Sequence, residues 1–478
     1  MTPFLVALVV GGYFLVLILI SWWTSRSATS ETFYTANRSS PWYLVAFGMI
    51  GATLSGVTFI SVPGEVGNSN FHYFQMVLGY ILGYSVIALV LLPLYYKHNL
   101  VSIYQYLLTR FGERAHKTGA FFFLISRVIG ASFRLFLVAG VLQIAFFDAF
   151  GLPFWVAVAS AILLIWVYTW KGGIKTIVWT DTLQTFFMLF SVGFSIYLIK
   201  SEMGFSFGDL ISSIQSDPRS TAFDWRWKPG TNFFKQFISG AFIAIVMTGL
   251  DQDMMQKNLT CRSLKDAQKN VFWFTGVLVI VKVLFLVLGV MLYQYADFQS
   301  IPLPDRTDNL FPVIAIQHFP LAGAILFLLG ITAAAYSSAD SALTALTTSF
   351  CVDFLGFEPK NFGEQQKTRI AVHFGFSVLL FLVVIVFNAI NDRSVISAVF
   401  TVAGYTYGPL LGLFSFGIFT KTQVRDGMIP LVCVLSPLLS YVLQSNSANW
   451  FGGYTIGFEI LLFNGLFTFI GLWLLRKR

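Results

Sequence analysis

Arg127, Arg134, Asp181, Lys282, Asp340 and Glu459 are charged side chains set inside or at the ends of long apolar runs. An ionised group near the middle of a hydrocarbon layer costs about 2.5–3.5 kcal/mol on insertion scales, so each needs a partner or a task. Arg127 and Arg134 stand two helical turns apart and share a face. Asp181 lies in Trp179-Thr180-Asp181-Thr182, six residues after Lys175. At 1.5 Å per residue that is roughly 9 Å in from the edge of its run. Asp340 sits in Tyr336-Ser337-Ser338-Ala339-Asp340-Ser341. These groups read in two ways. Either they pair and hold helices together, Asp340 with Arg127 or Arg134, or they line the path of an ion or a polar solute. Glu459 reads as a boundary or locally paired residue. Lys282 reads as an interior group or one that snorkels to the surface.

Two hydroxyl-rich stretches could offer oxygen to a cation. The first runs from Gly48 to Thr58 and contains Gly51, Thr53, Leu54, Ser55 and Gly56, with Pro63-Gly64 beyond. Three glycines and several hydroxyls weaken a helix, and a break there frees backbone carbonyls. Inside a bilayer such a break survives only against protein or a watery cavity, where it can bind ions. The second stretch is Ala333-Ala334-Ala335-Tyr336-Ser337-Ser338 with Ser341 one turn on. Small residues also permit close helix packing, and serines often bond back to their own helix, so neither stretch decides the matter alone.

The elements that carry these residues are membrane spans. Of 478 residues, 56% are hydrophobic and 11% charged, against roughly 25% charged in a soluble chain; mean hydropathy is +0.74. Apolar runs of about 17–30 residues are long enough to cross a hydrocarbon core. Thirteen spans are predicted, at 3–22, 43–61, 73–95, 119–146, 153–168, 174–198, 233–249, 271–295, 321–350, 370–387, 395–419, 428–443 and 452–475. The first is a retained span, since it lacks a basic leader and a small-residue cleavage site. With the N-terminus outside, twenty Lys and Arg, Lys257 among them, fall in inside segments and seven in outside segments. That asymmetry is the positive-inside rule, and it places the C-terminus in the cytoplasm. The net charge of +8 then reports loop orientation and anionic lipid rather than nucleic acid.

Three cysteines make no disulfide framework and show no metal-ligand spacing. No His-Glu-x-x-His, Gly-x-Ser-x-Gly or phosphate-binding glycine loop is present, which argues against an intramembrane enzyme. A channel needs a filter repeated around a pore axis, which this arrangement does not supply.

On its motifs the chain resembles the sodium:solute symporter family over nearly its whole length. The matching stretches are Gly172-Gly173 with Trp179-Thr180-Asp181-Thr182-Leu183-Gln184, and Asp251-Gln252 with Gln256. The serine-rich ninth span and Gly404-Tyr405-Thr406-Tyr407-Gly408-Pro409-Leu410-Leu411-Gly412 complete the set. The resemblance implies an all-α, LeuT-like polytopic fold with inverted repeats of five helices each. One domain over 1–478 would comprise a leading helix and inner loop (1–40), a first repeat (41–200), a second repeat (232–421) and two C-terminal helices (422–478). Helix breaks are implied in spans two and seven. The implied function is sodium-coupled symport of a small polar or anionic solute into the cell by alternating access, with one or two Na+ ions. The setting would be the inner membrane, with no nucleic acid and no obligatory protein partner.

Position by position, the resemblance implies a central sodium site from the carbonyls of Gly51, Leu54 and Ala334 and the hydroxyls of Ser337 and Ser338. A second cation position, found in some members, would use Asp181 and Ser341. Asp340 replaces a serine of that second site, so it either strengthens the site or is protonated. Thr53, Ser55, Thr58 and Gln75 match substrate positions, with Asp251 near a further contact. The stretches Val62-Pro63-Gly64-Glu65-Val66 and Leu92-Pro93-Leu94-Tyr95-Tyr96 look more like the branch carrying anions and vitamins than the glucose carriers. Proton coupling through Asp181 or Asp340 is the alternative on the same fold.

Overall fold

The computed structural model describes residues 2–25, 40–98, 100, 102–169, 174–357, 366–390 and 394–477. Gly172-Gly173 lies outside them, and so do the side chains of Lys175 and Trp179. Among the described residues the chain is helical apart from loops and two isolated β-bridges.

The main helices in chain order are α1 (Pro3–Ser25), α2 (Trp42–Thr53), α3 (Val62–Ser69), α4 (Tyr73–Val86), α5 (Glu113–Ala145), α6 (Phe154–Thr169), α7 (Ile174–Glu202) and α8 (Phe233–Ala244). They continue with α9 (Gln252–Leu259), α10 (Leu264–Phe298), α11 (Leu321–Ser349), α12 (Gln366–Ile390), α13 (Val395–Thr406), α14 (Gly408–Phe419), α15 (Ile429–Trp450) and α16 (Ile460–Leu474). The predicted spans fall on these helices and on the turns that continue them. By length and apolar character, eight described helices can cross a bilayer, or ten if each of two bent pairs is one span. Trp42–Thr53, Phe154–Trp166 and Ile460–Leu474 are shorter apolar helices.

Two groups of helices form around the centre. In one, α2 packs on α10, and α4 packs on both α8 and α10; in the other, α5 packs on α6, α11 and α12. Helix α7 joins them, lying against α2, α10 and α11. The α4–α8 crossing is close because glycines face backbone. A Cβ on Gly79 would come 2.0 Å from the Phe237 carbonyl, and one on Gly240 2.1 Å from that of Met76. Such small-residue contacts are how membrane helices gain dispersion energy when lipid is as apolar as their own side chains.

Helices break in the two places where the sequence reading put them. Helix α2 stops at Thr53, Leu54 takes φ −82° and ψ 68°, and the chain resumes through a π-helical turn, Val57–Ser61. Phe233–Gly249 and α9 meet at an angle of 67°, with Leu250 and Asp251 between them. A third bend, of 47°, separates α13 from α14.

Candidate ion and solute site

The first break is built for oxygen. Once Leu54 leaves helical geometry, the last carbonyls of α2 lose the N–H groups one turn ahead. The Leu54 amide still bonds the Ile50 carbonyl at 2.8 Å, but among the described residues no side chain donates to the carbonyls of Gly51 or Leu54. Helix α2 lies directly on α7 here. A Cβ on Gly51 would sit 2.2 Å from Thr185 Oγ1 and 3.1 Å from the Asp181 carbonyl. Thr185 ties the two helices by donating to the carbonyls of Asp181 (2.7 Å) and Phe47 (3.2 Å). Across from α2 stands α11, in contact with it and bearing Ser337 and Ser338, both buried. Ser338 makes only a long bond, 3.3 Å, to the Ala334 carbonyl. Ser337 Oγ lies near the Asp181 carboxylate without closing a hydrogen bond. Thr53 Oγ1 is likewise buried and unpartnered. Buried hydroxyls left in this way cost free energy unless something fills the gap. The set of hydroxyls and carbonyls suits a hard monovalent cation, so the residues fit sodium.

Asp181, one turn before Thr185 on α7, is fully buried. Lys257 Nζ donates to its Oδ2 at 3.0 Å and to Ser341 Oγ at 3.2 Å. The other carboxylate oxygen accepts from Gln184 at 3.2 Å when that amide is turned nitrogen-first, an orientation that also lets Gln184 accept from the Tyr13 hydroxyl at 3.2 Å. Asp340 is fully buried too, and it joins Asp181 and Asp253 among the carboxylates whose charge acts on Lys257. One expectation is corrected here. Lys257 does not lie in an inside loop; α9 continues the broken span and carries the lysine inward, only 2% exposed. The space between Asp181 and Ser341, expected to form the second cation position with Asp340, is bridged by that lysine.

Beside the break is a cavity lined by Thr53, Ser55 and Thr58. It brings together three of the five predicted substrate residues. Arg127, Arg134 and Lys282 face it as well. Lys282 is buried, donates to Thr58 Oγ1 at 2.8 Å and lies 5.4 Å from the centre of the Tyr73 ring; it belongs to the interior and does not snorkel. Arg127 is neutralised: Nη2 is ion-paired to Asp253, and Nη1 lies 3.7 Å from Asp251 Oδ2. Among the described residues no carboxylate lies within ion-pair distance of Arg134 or Lys282. Tyr73 and Phe400, stacked at 6.2 Å, separate this cavity from a vestibule lined by Glu65, His72, Thr231 and Gln236.

Gln75 and Asp251 are placed elsewhere. The Gln75 amide is spent on backbone: Nε2 donates to the carbonyls of Thr231 (2.9 Å) and His72 (3.2 Å), and Oε1 accepts from the Asp224 amide at 3.0 Å. Asp251 caps α9 by accepting from the amides of Asp253 (3.0 Å) and Met254 (3.3 Å), and it takes the Tyr407 hydroxyl at 2.9 Å. Both hold the fold rather than line the cavity. Glu459 is locally paired, accepting from the Gly457 amide and lying 4.0 Å from Lys235. Sequence reasoning missed Lys257 and Asp253. Their i, i+4 spacing, on a segment that also carries Met254, Met255 and Leu259, was the available signal.

Comparison with known proteins identifies the family. Residues 33–430 match the sodium:solute symporter family. A sodium/sialic acid symporter of Proteus mirabilis is 24% identical over 96% of this chain and 94% of its own length. The human sodium/iodide cotransporter is 24% identical over 84% of this chain and 63% of its own length. Among solved structures, a sodium-coupled sialic acid symporter in a substrate-bound, outward-open state superposes with a TM-score of 0.81 at 21% identity, covering 99% of this chain and 98% of that one. The nucleobase-cation symporter Mhp1 in a closed conformation gives 0.56 at 14% identity, covering 92% of each chain. The chain belongs to the sodium:solute symporter family; it is a multi-pass membrane protein with a LeuT-like fold and a sodium-coupled symporter of small solutes, not an enzyme.

Proposed function

We propose that this sodium:solute symporter imports a small organic anion. The observation that carries the reading is the pair Arg134 and Lys282: two basic side chains face one cavity, and no carboxylate among the described residues lies within ion-pair distance of either. Buried charges left this way are costly unless an opposite charge arrives. A carboxylate or similar group supplies it, with Thr53, Ser55 and Thr58 taking the solute's other polar atoms. Arg134 offers a planar fork of donors and Lys282 a point charge, a combination suited to an oxyanion.

Sodium is co-transported cargo. In this reading it lies among the carbonyls of Gly51, Leu54 and Ala334 and the hydroxyls of Ser337 and Ser338. That cage spans the unwound end of α2 and the middle of α11, so an ion there joins the two helix groups. Thr53 and Ser55 are neighbours of the cage and line the cavity, so filling one orders the other. The differential contact of sodium with the closed arrangement is what biases an alternating-access equilibrium. Tyr73 and Phe400 would be the thin layer that swings aside between cavity and vestibule.

The finer organisation belongs to the same proposal. It comprises thirteen spans in an inner membrane, the N-terminus outside and the C-terminus in the cytoplasm, repeats over 41–200 and 232–421, and lipid as the surroundings with no obligatory protein partner. The test is uptake into proteoliposomes of a panel of radiolabelled carboxylates and their neutral amides. Carboxylates should enter on a sodium gradient and amides should not. Equal uptake of both, or uptake unchanged in Arg134→Ala, would overturn the anion reading.

A further inference from the structure

We infer that Lys257 is a built-in cation that takes the place of a second sodium ion, so that the carrier binds a single Na+ per cycle. The inference rests on the central sodium cage proposed above and deepens it by fixing the ion count. Its ground is the geometry around Asp181. A buried carboxylate between α7 and α11 needs a positive charge, and the chain supplies one from α9 by a direct 3.0 Å contact. The same ammonium takes Ser341 Oγ at 3.2 Å, the hydroxyl that an ion at this place would need. Turned nitrogen-first, the Gln184 amide donates to the second carboxylate oxygen at 3.2 Å. In that orientation Asp181 has a protein partner on each oxygen. Asp340 adds a further negative charge close by, which makes a permanent cation at this point more favourable still.

Position along the chain explains how the lysine gets there. Asp251 ends the break and starts α9, and α9 touches both α2 and α11. Lys257 lies six residues past that cap, its carbonyl held by Thr260 Oγ1 at 2.7 Å, and it crosses to α7 and α11. The lysine thus ties the segment after the second break to the two helices that flank the first. A diffusible ion would make the same tie only while bound.

The measurement is equilibrium binding of radioactive sodium to the purified protein without solute, counted per chain. Wild type should bind one ion, and Lys257→Ala, which vacates the space beside Asp181, Asp340 and Ser341, should bind two. Lys257→Arg should stay at one. Should Lys257→Ala fail to fold, Asp181→Asn decides: the count stays at one if lysine is the occupant and falls by one if sodium is. Two ions on wild type, one ion on a folded Lys257→Ala, or a loss on Asp181→Asn each overturns the inference while leaving the central cage intact. No sodium on wild type, or a sodium affinity unmoved by Ser338→Ala, instead sinks the cage itself, and the inference with it.

Discussion

The two helix breaks look alike along the chain and are opposite in chemistry. At the second, the carbonyls at the bend itself have been given side-chain partners. Tyr95 donates to the Gly249 carbonyl at 2.8 Å and Tyr104 to that of Leu250 at 3.0 Å. Asp251 caps the new helix, and Gln252 Oε1 accepts from the Ile103 amide at 2.9 Å. At the first, no side chain reaches the carbonyls of Gly51 or Leu54 among the described residues, and the nearby Thr53 and Ser337 hydroxyls are unpartnered. A satisfied break is a hinge or a corner; an unsatisfied one is a receptor for something that arrives from outside the chain. The difference teaches where to look for cargo in a molecule with two similar irregularities.

Substitutions at the open break should therefore abolish function, and those at the sealed break should cost stability. The largest effect is expected for Gly51→Ala. Its methyl group would meet Thr185 Oγ1 at 2.2 Å, prising α2 from α7. Sodium-driven uptake should vanish, read as loss of uptake with the protein still monodisperse on a sizing column; retained uptake would show that the first break does not need its close contact. Arg134→Ala should come next. Removing one side of a buried charge contact costs about 2–5 kcal/mol, so anion affinity should fall by well over tenfold in a binding isotherm. Ser338→Ala removes one oxygen from the proposed sodium cage. Hydrogen-bond-like contacts to charged groups are worth roughly 1.5–3 kcal/mol, which predicts at least a tenfold weaker sodium dependence of thermal stability.

At the sealed break, Tyr104→Phe leaves the buried Leu250 carbonyl unpaired, at about 1–3 kcal/mol. It should lower the melting temperature by a few degrees and leave the sodium midpoint of uptake unchanged. A shifted sodium midpoint would erase the contrast between the breaks. The smallest effect belongs to the loop that Gln75 holds. Arg226 bonds the Asp224 carboxylate, and Thr231 adds a 2.6 Å bond. Together they hold that carboxyl below the usual carboxylate range. A depressed carboxyl stabilises the fold above its unfolded value, near 3.9, and that contribution is lost only as pH falls below it. Protease cleavage of this loop should thus be constant from pH 8 to pH 5 and faster in Asp224→Asn at every pH in that window.

How much of this was legible beforehand follows from what a linear chain can display. The first break showed as glycines and hydroxyls against an apolar background, because weak helix formers advertise themselves; the second was implied by the family resemblance. The hydroxyl pair Ser337 and Ser338 and the cavity residues Thr53, Ser55 and Thr58 showed for the same reason. Lys257 did not, because an ionised side chain just past an apolar run looks like a membrane boundary. It became interior only once α9 turned by 67° and carried its charges back into the bundle. Gln75 and Asp251 entered as substrate positions through the family resemblance, and the linear chain shows none of their distant partners: Gln75 bonds the backbone of Asp224 and Thr231, and Asp251 the Tyr407 hydroxyl. Charge inside a membrane protein is visible in sequence; its partner is not.

Because the ammonium of Lys257 is covalently part of the protein, it never counts among what is carried. One sodium ion travelling with one monovalent anion moves no net charge. The membrane voltage, worth about 2.3 kcal/mol per elementary charge at 100 mV, then does no work on the cargo as a whole. Only the sodium concentration ratio drives uptake, and a tenfold ratio, about 1.4 kcal/mol, sustains about a tenfold build-up of solute. A carrier wired this way delivers steadily in depolarised cells, and it releases its solute as readily as it gathers it once the sodium ratio collapses.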